Sequence, residues 1–151
     1  MASNIKLVIE NFKGVLKAEI DLPRISILIG GNNSGKTTLL EALYLLNGPH
    51  SEAPYVVNNS IAKTLDVLNY LHAGSGMVDF SFLTYKYISD RVIIYSKIKD
   101  KEYNLRIYNT GIGLIFYTLL GDGTALPHCK AMNITGEITP PSLEPGRKAA
   151  T

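Results

Sequence analysis

The residues with the clearest chemistry form a glycine-rich loop at positions 30–38. They are Gly30, Gly31, Asn32, Asn33, Ser34, Gly35, Lys36, Thr37 and Thr38, and they fit the phosphate-binding pattern G-x-x-x-x-G-K-S/T at every fixed position. Glycines let successive backbone N–H groups line one concavity, and a helix that begins there directs its free N–H groups and positive dipole end to the same point. The pattern therefore predicts a nucleotide-phosphate site, the alternative being a turn that binds nothing.

The last residues of the loop have distinct expected roles with ATP and Mg²⁺. Lys36 is predicted to reach the β- and γ-phosphates and to be the catalytic residue of the site. The Thr37 hydroxyl is predicted to ligate Mg²⁺, which prefers oxygen ligands, and Thr38 to bond the α-phosphate.

A loop of this kind requires a strand before it and a helix after it. Ile25–Ile29 is an apolar run that predicts a buried strand, and the helix is indicated by residues at helical spacing, Leu39, Leu40, Leu43 and Leu46. Two further strands are predicted ahead of the loop, at Ile5–Phe12 and Val15–Leu22, joined by a turn. Gly48 and Pro49 are the expected stop signals of the helix.

The rest of the chain changes character twice. Residues 60–72 have a helical pattern with Ser60 as N-cap and Gly74 as end. Four β-rich runs, 80–88, 91–98, 103–108 and 114–120, then predict an antiparallel meander. Residues 127–151 hold four of the seven prolines, which predicts an irregular or disordered tail after a domain at 1–126.

Three segments together resemble a known family: Ile9–Gly14, Ala18–Leu22 and Leu28–Leu43. They look like the N-terminal lobe of RecF/SMC-type ABC ATPases, and are most similar to AAA-family ATPases related to the OLD nucleases. The resemblance implies an α/β P-loop NTPase fold of the ABC/SMC-head type: two leading antiparallel strands, a Walker A strand-loop-helix, a second helix and the β meander. By the same resemblance Asn11, Phe12 and Lys13 sit beside the nucleotide; an ordinary hairpin turn is the alternative for Phe12 and Lys13.

The resembled ATPases also use groups that are absent from this sequence. These are a Gln at a strand end, an Asp-Glu pair after an apolar strand and a Ser-Gly-Gly signature from a partner head. The chain contains no Gln, no Asp-Glu dipeptide and no Leu-Ser-Gly-Gly stretch. Asp122 ends an apolar run, but Gly121 and Gly123 beside it indicate a turn residue rather than a Mg²⁺ ligand. We therefore expect a C-terminal ATPase lobe or a second head, a homodimer included, to supply hydrolysis.

Composition limits the remaining classes. The chain has 151 residues, a net charge of +2 and one cysteine, which suit one soluble cytoplasmic domain without membrane contact. Basic residues of the meander fit either contact with DNA, suggested only by the resemblance, or the polar face of a sheet, which we favour.

Two alternative functions differ from an ATPase head. One is a non-hydrolysing module that senses nucleotide and binds protein. The other is a compact P-loop kinase or GTPase, which the absence of Asn-Lys-x-Asp and of an Arg-rich lid disfavours.

Overall fold

The computed structural model describes residues 4–57, 59–72, 79–133, 135 and 137–140. Its strands are β1 (Ile5–Phe12), β2 (Val15–Leu22), β3 (Glu52–Val57), β4 (Ser60–Lys63), β5 (Arg91–Ile98), β6 (Lys101–Asn109), β7 (Gly113–Leu119), β8 (Ala125–Met132) and β9 (Ile138–Thr139). Its two α-helices are α1 (Lys36–Leu46) and α2 (Thr64–His72). Within the described residues, neither helix is long and apolar enough to cross a membrane.

One seven-stranded sheet carries most of these strands, in the order β2-β1-β5-β6-β7-β8-β9. Every pair in it is antiparallel. The hairpin β1–β2 joins the meander because β1 also pairs with β5, with Ile5 opposite Ile98. The two leading strands and three strands of the meander are thus confirmed, and they form a single sheet.

The core lies between one face of this sheet and the two helices. Alternate residues of a strand share a face, and on β1, β5, β6 and β7 the buried set includes Leu7, Ile9, Ile94, Ile107 and Phe116. Helix α1 adds Leu39, Ala42 and Leu45, and α2 adds Leu65 and Leu68. Apolar burial on this face therefore holds α1, with the glycine-rich loop at its start, against the sheet.

The strand expected at Ile25–Ile29 is absent, which corrects the prediction. The segment is irregular, and Ile25, Ile27 and Ile29 are 84%, 82% and 90% exposed. A β-strand needs a neighbour to receive its backbone hydrogen bonds. In the described part of the chain no strand pairs with this segment. Its β-rich composition therefore does not lead to a strand.

The second helix begins later than predicted. Ser60–Lys63 is strand β4, which pairs with β3 in a small separate hairpin, so Ser60 is not an N-cap. Helix α2 starts at Thr64, where the Asp66 carboxylate accepts a hydrogen bond from the Lys63 backbone N–H at 2.8 Å. The expected end at Gly74 lies outside the described residues.

The first β-rich run of the meander forms two short 3-10 turns, Phe80–Leu83 and Tyr85–Tyr87. Its alternating pattern was misleading because side-chain hydrogen bonds bend the backbone. The Asp79 carboxylate accepts from the Ser81 N–H at 2.9 Å, and Lys86 has a left-handed φ of 51°.

The predicted boundary at residue 126 falls inside strand β8. Residues 125–132 pair with β7 despite Pro127, with a register irregularity beside Pro127, and β9 follows at Ile138–Thr139. Cys129 and Ala131 are fully buried, so packing against the core outweighs the weak local pattern. The later part of the expected tail, 141–151, lies outside the described residues.

Candidate functional site

An open cleft of about 740 Å³ lies at the start of helix α1. The glycine-rich loop forms one side, with every residue from Asn32 to Thr38 in contact with the cleft. The rest of the lining comes from the β1–β2 turn, the first residue of β2 and the end of α2, through Lys13, Gly14, Val15 and His72. The sheet, the first helix and the second helix thus meet at one cavity.

The backbone of the loop contains two left-handed residues, a feature of anion-binding nests. Asn33 and Gly35 both have left-handed φ values, 62° and 85°, and they are separated by one residue. Left-handed residues turn neighbouring N–H groups toward one point, and asparagine and glycine tolerate this conformation best. Gly30 serves a different purpose: a Cβ there would lie 2.6 Å from the Ser34 hydroxyl.

Helix α1 begins at this nest without a side-chain cap. Gly35 occupies the N-cap position, no side chain bonds the helix there, and the first turn holds no acidic residue. The first N–H groups of a helix have no intrahelical acceptor and carry its positive dipole end. An anion in the cleft would receive these N–H groups, which is how helix N-termini bind phosphate.

Lys36 is held by the loop itself. Its ammonium donates to the Gly30 carbonyl at 2.7 Å, the Gly31 carbonyl at 2.6 Å and the Ser34 hydroxyl at 3.0 Å. An ammonium has three N–H donors, and all three are used here. Binding of a phosphate by Lys36 therefore requires it to exchange these loop oxygens for phosphate oxygens.

The two threonines after Lys36 reach the cleft. Thr37 is exposed, Thr38 is half-buried, and both line the cavity. A free hydroxyl at the start of the helix fits a role as an oxygen ligand of Mg²⁺, which keeps most of its coordination for water and substrate oxygens. The described residues contain no group of three or more His, Cys, Asp or Glu side chains able to hold a metal by themselves.

Phe12 and Lys13 have different positions, although the resemblance places both beside the nucleotide. Lys13 lines the cleft. The Phe12 side chain is fully buried in the hydrophobic core and is not part of the cleft lining. The difference follows from their places in the hairpin: Phe12 is the last residue of β1 and packs on the core, whereas Lys13 lies in the β1–β2 turn with a left-handed φ of 51°.

Asp122 lies in an exposed turn, as predicted. Its carboxylate accepts a hydrogen bond from the Thr124 N–H at 2.8 Å, and the turn closes by a bond from the Gly123 N–H to the Leu120 carbonyl. The backbone hydrogen bond from Thr124 lowers the pKa of Asp122. The carboxylate thus has a local structural partner in the turn.

Two residues at the site escaped the sequence reasoning, Glu41 and His72. Glu41 lies on the buried side of α1 and is 5% exposed. A carboxylate on an apolar helix face needs a partner, and that signal was available at Glu41 beside Leu39, Ala42 and Leu45. His72 had no such signal, because its place depends on how α2 packs.

Comparison with known proteins agrees with this architecture. The AAA ATPase domain family matches residues 5–122. The DNA replication and repair protein RecF of Psychromonas ingrahamii is 45% identical over 42 residues, which is 27% of this chain and 12% of the relative. RecF of Vibrio campbellii is 38% identical over 64 residues, 42% of this chain and 18% of the relative. No solved structure matches the chain.

These matches bear on the family and on the ligand, ATP, that the sequence predicts. They confirm the resemblance to RecF/SMC-type ATPases, and they support ATP binding. The chain spans less than a fifth of the length of these RecF relatives. The match over most of its length shows that the chain belongs to the AAA ATPase domain family.

Proposed function

We propose that the chain is the part of a RecF-like ATPase that holds ATP and Mg²⁺ in the cleft between the glycine-rich loop and the β1–β2 turn. The observation that carries the proposal is the joining of an uncapped helix start, a left-handed nest and Lys36 in one cleft. In this arrangement the backbone N–H groups bind the phosphates, and Lys36 neutralises the β- and γ-phosphates. Thr37 ligates Mg²⁺ and Thr38 bonds the α-phosphate.

In this proposal, ATP hydrolysis also requires catalytic groups from outside this chain. Phosphoryl transfer needs an aligned water and an acidic residue that helps to hold Mg²⁺. Neither a Gln nor an Asp-Glu pair occurs in the sequence. A C-terminal ATPase lobe or a second head would supply them, and the purified chain alone should turn ATP over very slowly.

The exposed segment Ile25–Ile29 supports the need for a further lobe. Its isoleucines have more than four-fifths of their surface in solvent, although β-branched residues favour paired strands. A strand added beside this segment would bury them and receive its backbone hydrogen bonds. Because the segment leads directly into the loop, such pairing would also steady the nucleotide site.

Contact with DNA is a weaker proposal for the complete protein. It is supported by the names of the RecF relatives, which are DNA replication and repair proteins. Basic residues of the meander have local partners: Lys97 pairs with Glu102 at 3.7 Å, and the Arg106 guanidinium donates to Asn104 at 3.1 Å. These contacts favour the polar face of a sheet over a built DNA site.

Titration of a fluorescent ATP analogue with Mg²⁺ tests the proposal. The wild-type chain should bind, and Lys36→Ala should weaken binding at least tenfold, since charge-assisted hydrogen bonds contribute roughly 1.5–3 kcal/mol. The matched control is Lys97→Ala, which removes an equal charge from an exposed ion pair and should leave binding unchanged.

Phosphate release in the same samples separates the two functional alternatives. We expect the chain alone to bind the ATP analogue without releasing phosphate. Phosphate release should appear when the remaining domains of a RecF-like protein are added. No turnover with every candidate domain added would favour the non-hydrolysing sensor. Equal binding by wild type and Lys36→Ala would refute nucleotide binding by the loop.

A further inference from the structure

Three elements around the cleft converge on a single buried carboxylate, that of Glu41. The Lys13 ammonium from the β1–β2 turn forms an ion pair with Glu41 Oε2. The His72 Nε2 atom from the end of α2 lies 2.8 Å from Glu41 Oε1. Only 6% of the Glu41 side chain is exposed. This buried carboxylate on α1 thus contacts both the β1–β2 turn and the end of α2.

The geometry determines which groups donate. His72 Nε2 also lies 3.0 Å from Lys13 Nζ, but one ring nitrogen cannot both donate to Glu41 and accept from Lys13. The ring nitrogen 2.8 Å from Glu41 Oε1 and the ammonium paired with Glu41 Oε2 must each carry a proton to bond a carboxylate oxygen. Lys13 and His72 therefore both donate to Glu41, one to each carboxylate oxygen, and Lys13 keeps two further N–H groups for other acceptors.

Lys13 is held by further contacts of both its backbone and its side chain. Its own backbone N–H donates to the Leu83 carbonyl at 3.2 Å. Its ammonium lies 5.4 Å from the centre of the Phe82 ring, and the His72 ring packs against the same Phe82 ring with the centroids 4.6 Å apart and the planes tilted by 34°. A lysine normally loses much rotamer entropy when it binds a ligand. Because contacts within the fold already fix the Lys13 side chain, little rotamer entropy is left to lose on binding.

We propose that Glu41 and His72 are positioning residues that hold the Lys13 ammonium in the cleft wall, where it contacts a bound nucleotide. The inference rests on the proposed nucleotide site. Lys13 and His72 line the same cleft as the loop, and Glu41 belongs to the helix that begins at Lys36. A pre-organised cation costs less to immobilise on binding, which raises affinity.

A double-mutant cycle with the ATP analogue and Mg²⁺ tests the positioning role. Lys13→Ala and Glu41→Gln should each weaken binding about tenfold, the factor of one charge-assisted hydrogen bond. The double variant should bind no more weakly than Lys13→Ala alone, because Glu41 acts through Lys13. A purely structural Glu41 would weaken binding by the same factor in both backgrounds, and that result would overturn the proposal. Tighter binding by Glu41→Gln would also overturn it, since Glu41 would then restrain Lys13.

A second variant covers the case in which Glu41→Gln does not fold. The His72 side chain is 32% exposed, so His72→Leu is expected to fold and to weaken binding in the wild-type background but not with Lys13→Ala. Loss of binding in both backgrounds would contradict the proposal. Lys36→Ala distinguishes failure of the proposed nucleotide site from failure of this inference alone. If Lys36→Ala binds the ATP analogue like wild type, the proposed nucleotide site is refuted. If it loses binding while Lys13→Ala and Glu41→Gln do not, only this inference fails.

Discussion

Replacing Gly35 by alanine isolates the effect of one backbone torsion on the proposed nucleotide site. Gly35 has a φ of 85° and occupies the N-cap position of α1. A Cβ at Gly35 would meet no atom within 4 Å, and the same holds at Gly31. Gly31 does not have a left-handed φ. Gly35→Ala and Gly31→Ala thus differ in backbone strain and not in crowding.

The magnitude follows from the torsion. A residue with a Cβ in the left-handed region is disfavoured by roughly 1–2 kcal/mol, a factor of about 5–30 in an equilibrium constant. If the loop keeps its shape, Gly35→Ala should lower the free energy of unfolding by about 1–2 kcal/mol. If the loop relaxes instead, the nest turns its N–H groups away, and ATP binding should weaken by about 5–30-fold.

Urea unfolding and titration of the ATP analogue, done on both variants, measure these two losses. Gly31→Ala should change the free energy of unfolding by less than about 0.5 kcal/mol, because Gly31 does not have a left-handed φ. The reasoning is refuted if Gly35→Ala leaves both quantities unchanged, or if Gly31→Ala lowers the free energy of unfolding as much as Gly35→Ala does.

Two further predictions concern strand β8. Burial raises the pKa of the Cys129 thiol to about 12, so at pH 8 a thiol reagent should label unfolded protein quickly and folded protein very slowly; rapid labelling of the folded chain would mean that β8 does not cover Cys129. Burial, with His50 nearby, lowers the pKa of His128 below its usual 6.5, and the unfolded chain therefore takes up a proton first as the pH falls. The stability from neutral His128 should be complete above pH 6.5 and lost as the pH falls below it. Between pH 7.5 and pH 5.5, the free energy of urea unfolding should therefore fall more for wild type than for His128→Gln. An equal fall in both proteins would contradict the assignment.

The backbone of the glycine-rich loop and the start of α1 were the most predictable parts of the molecule, because their geometry depends on neighbouring residues. Gly35 and Lys36 stand in one short segment, and the backbone there needs left-handed torsions that asparagine and glycine favour. The first hairpin was predictable for a similar reason, since Lys13 and Gly14 form a tight turn between two β-rich runs. Strands β5, β6 and β7 alternate clearly because one face of each packs on the core.

The errors occurred where local pattern and tertiary context disagreed. Ile25–Ile29 has strand composition, but a strand requires a partner, and the described chain provides none. Ser60 precedes a helical pattern, yet residues 60–63 pair with β3 instead. Strand β8 has a weak pattern and a proline, and it forms because Cys129 and Ala131 complete the buried face beside β7.

The sequence by itself determined that a glycine-rich loop precedes helix α1 and that a β-hairpin precedes the loop, since spacing and torsional preference are properties of neighbouring residues. Only the tertiary structure decided which residues share the cleft with the loop. Lys13, Glu41 and His72 are far apart in the chain, and no local rule brings them together. They meet because the sheet, α1 and α2 bury their apolar faces in one core, and that packing places the three polar side chains at the edge of the cleft.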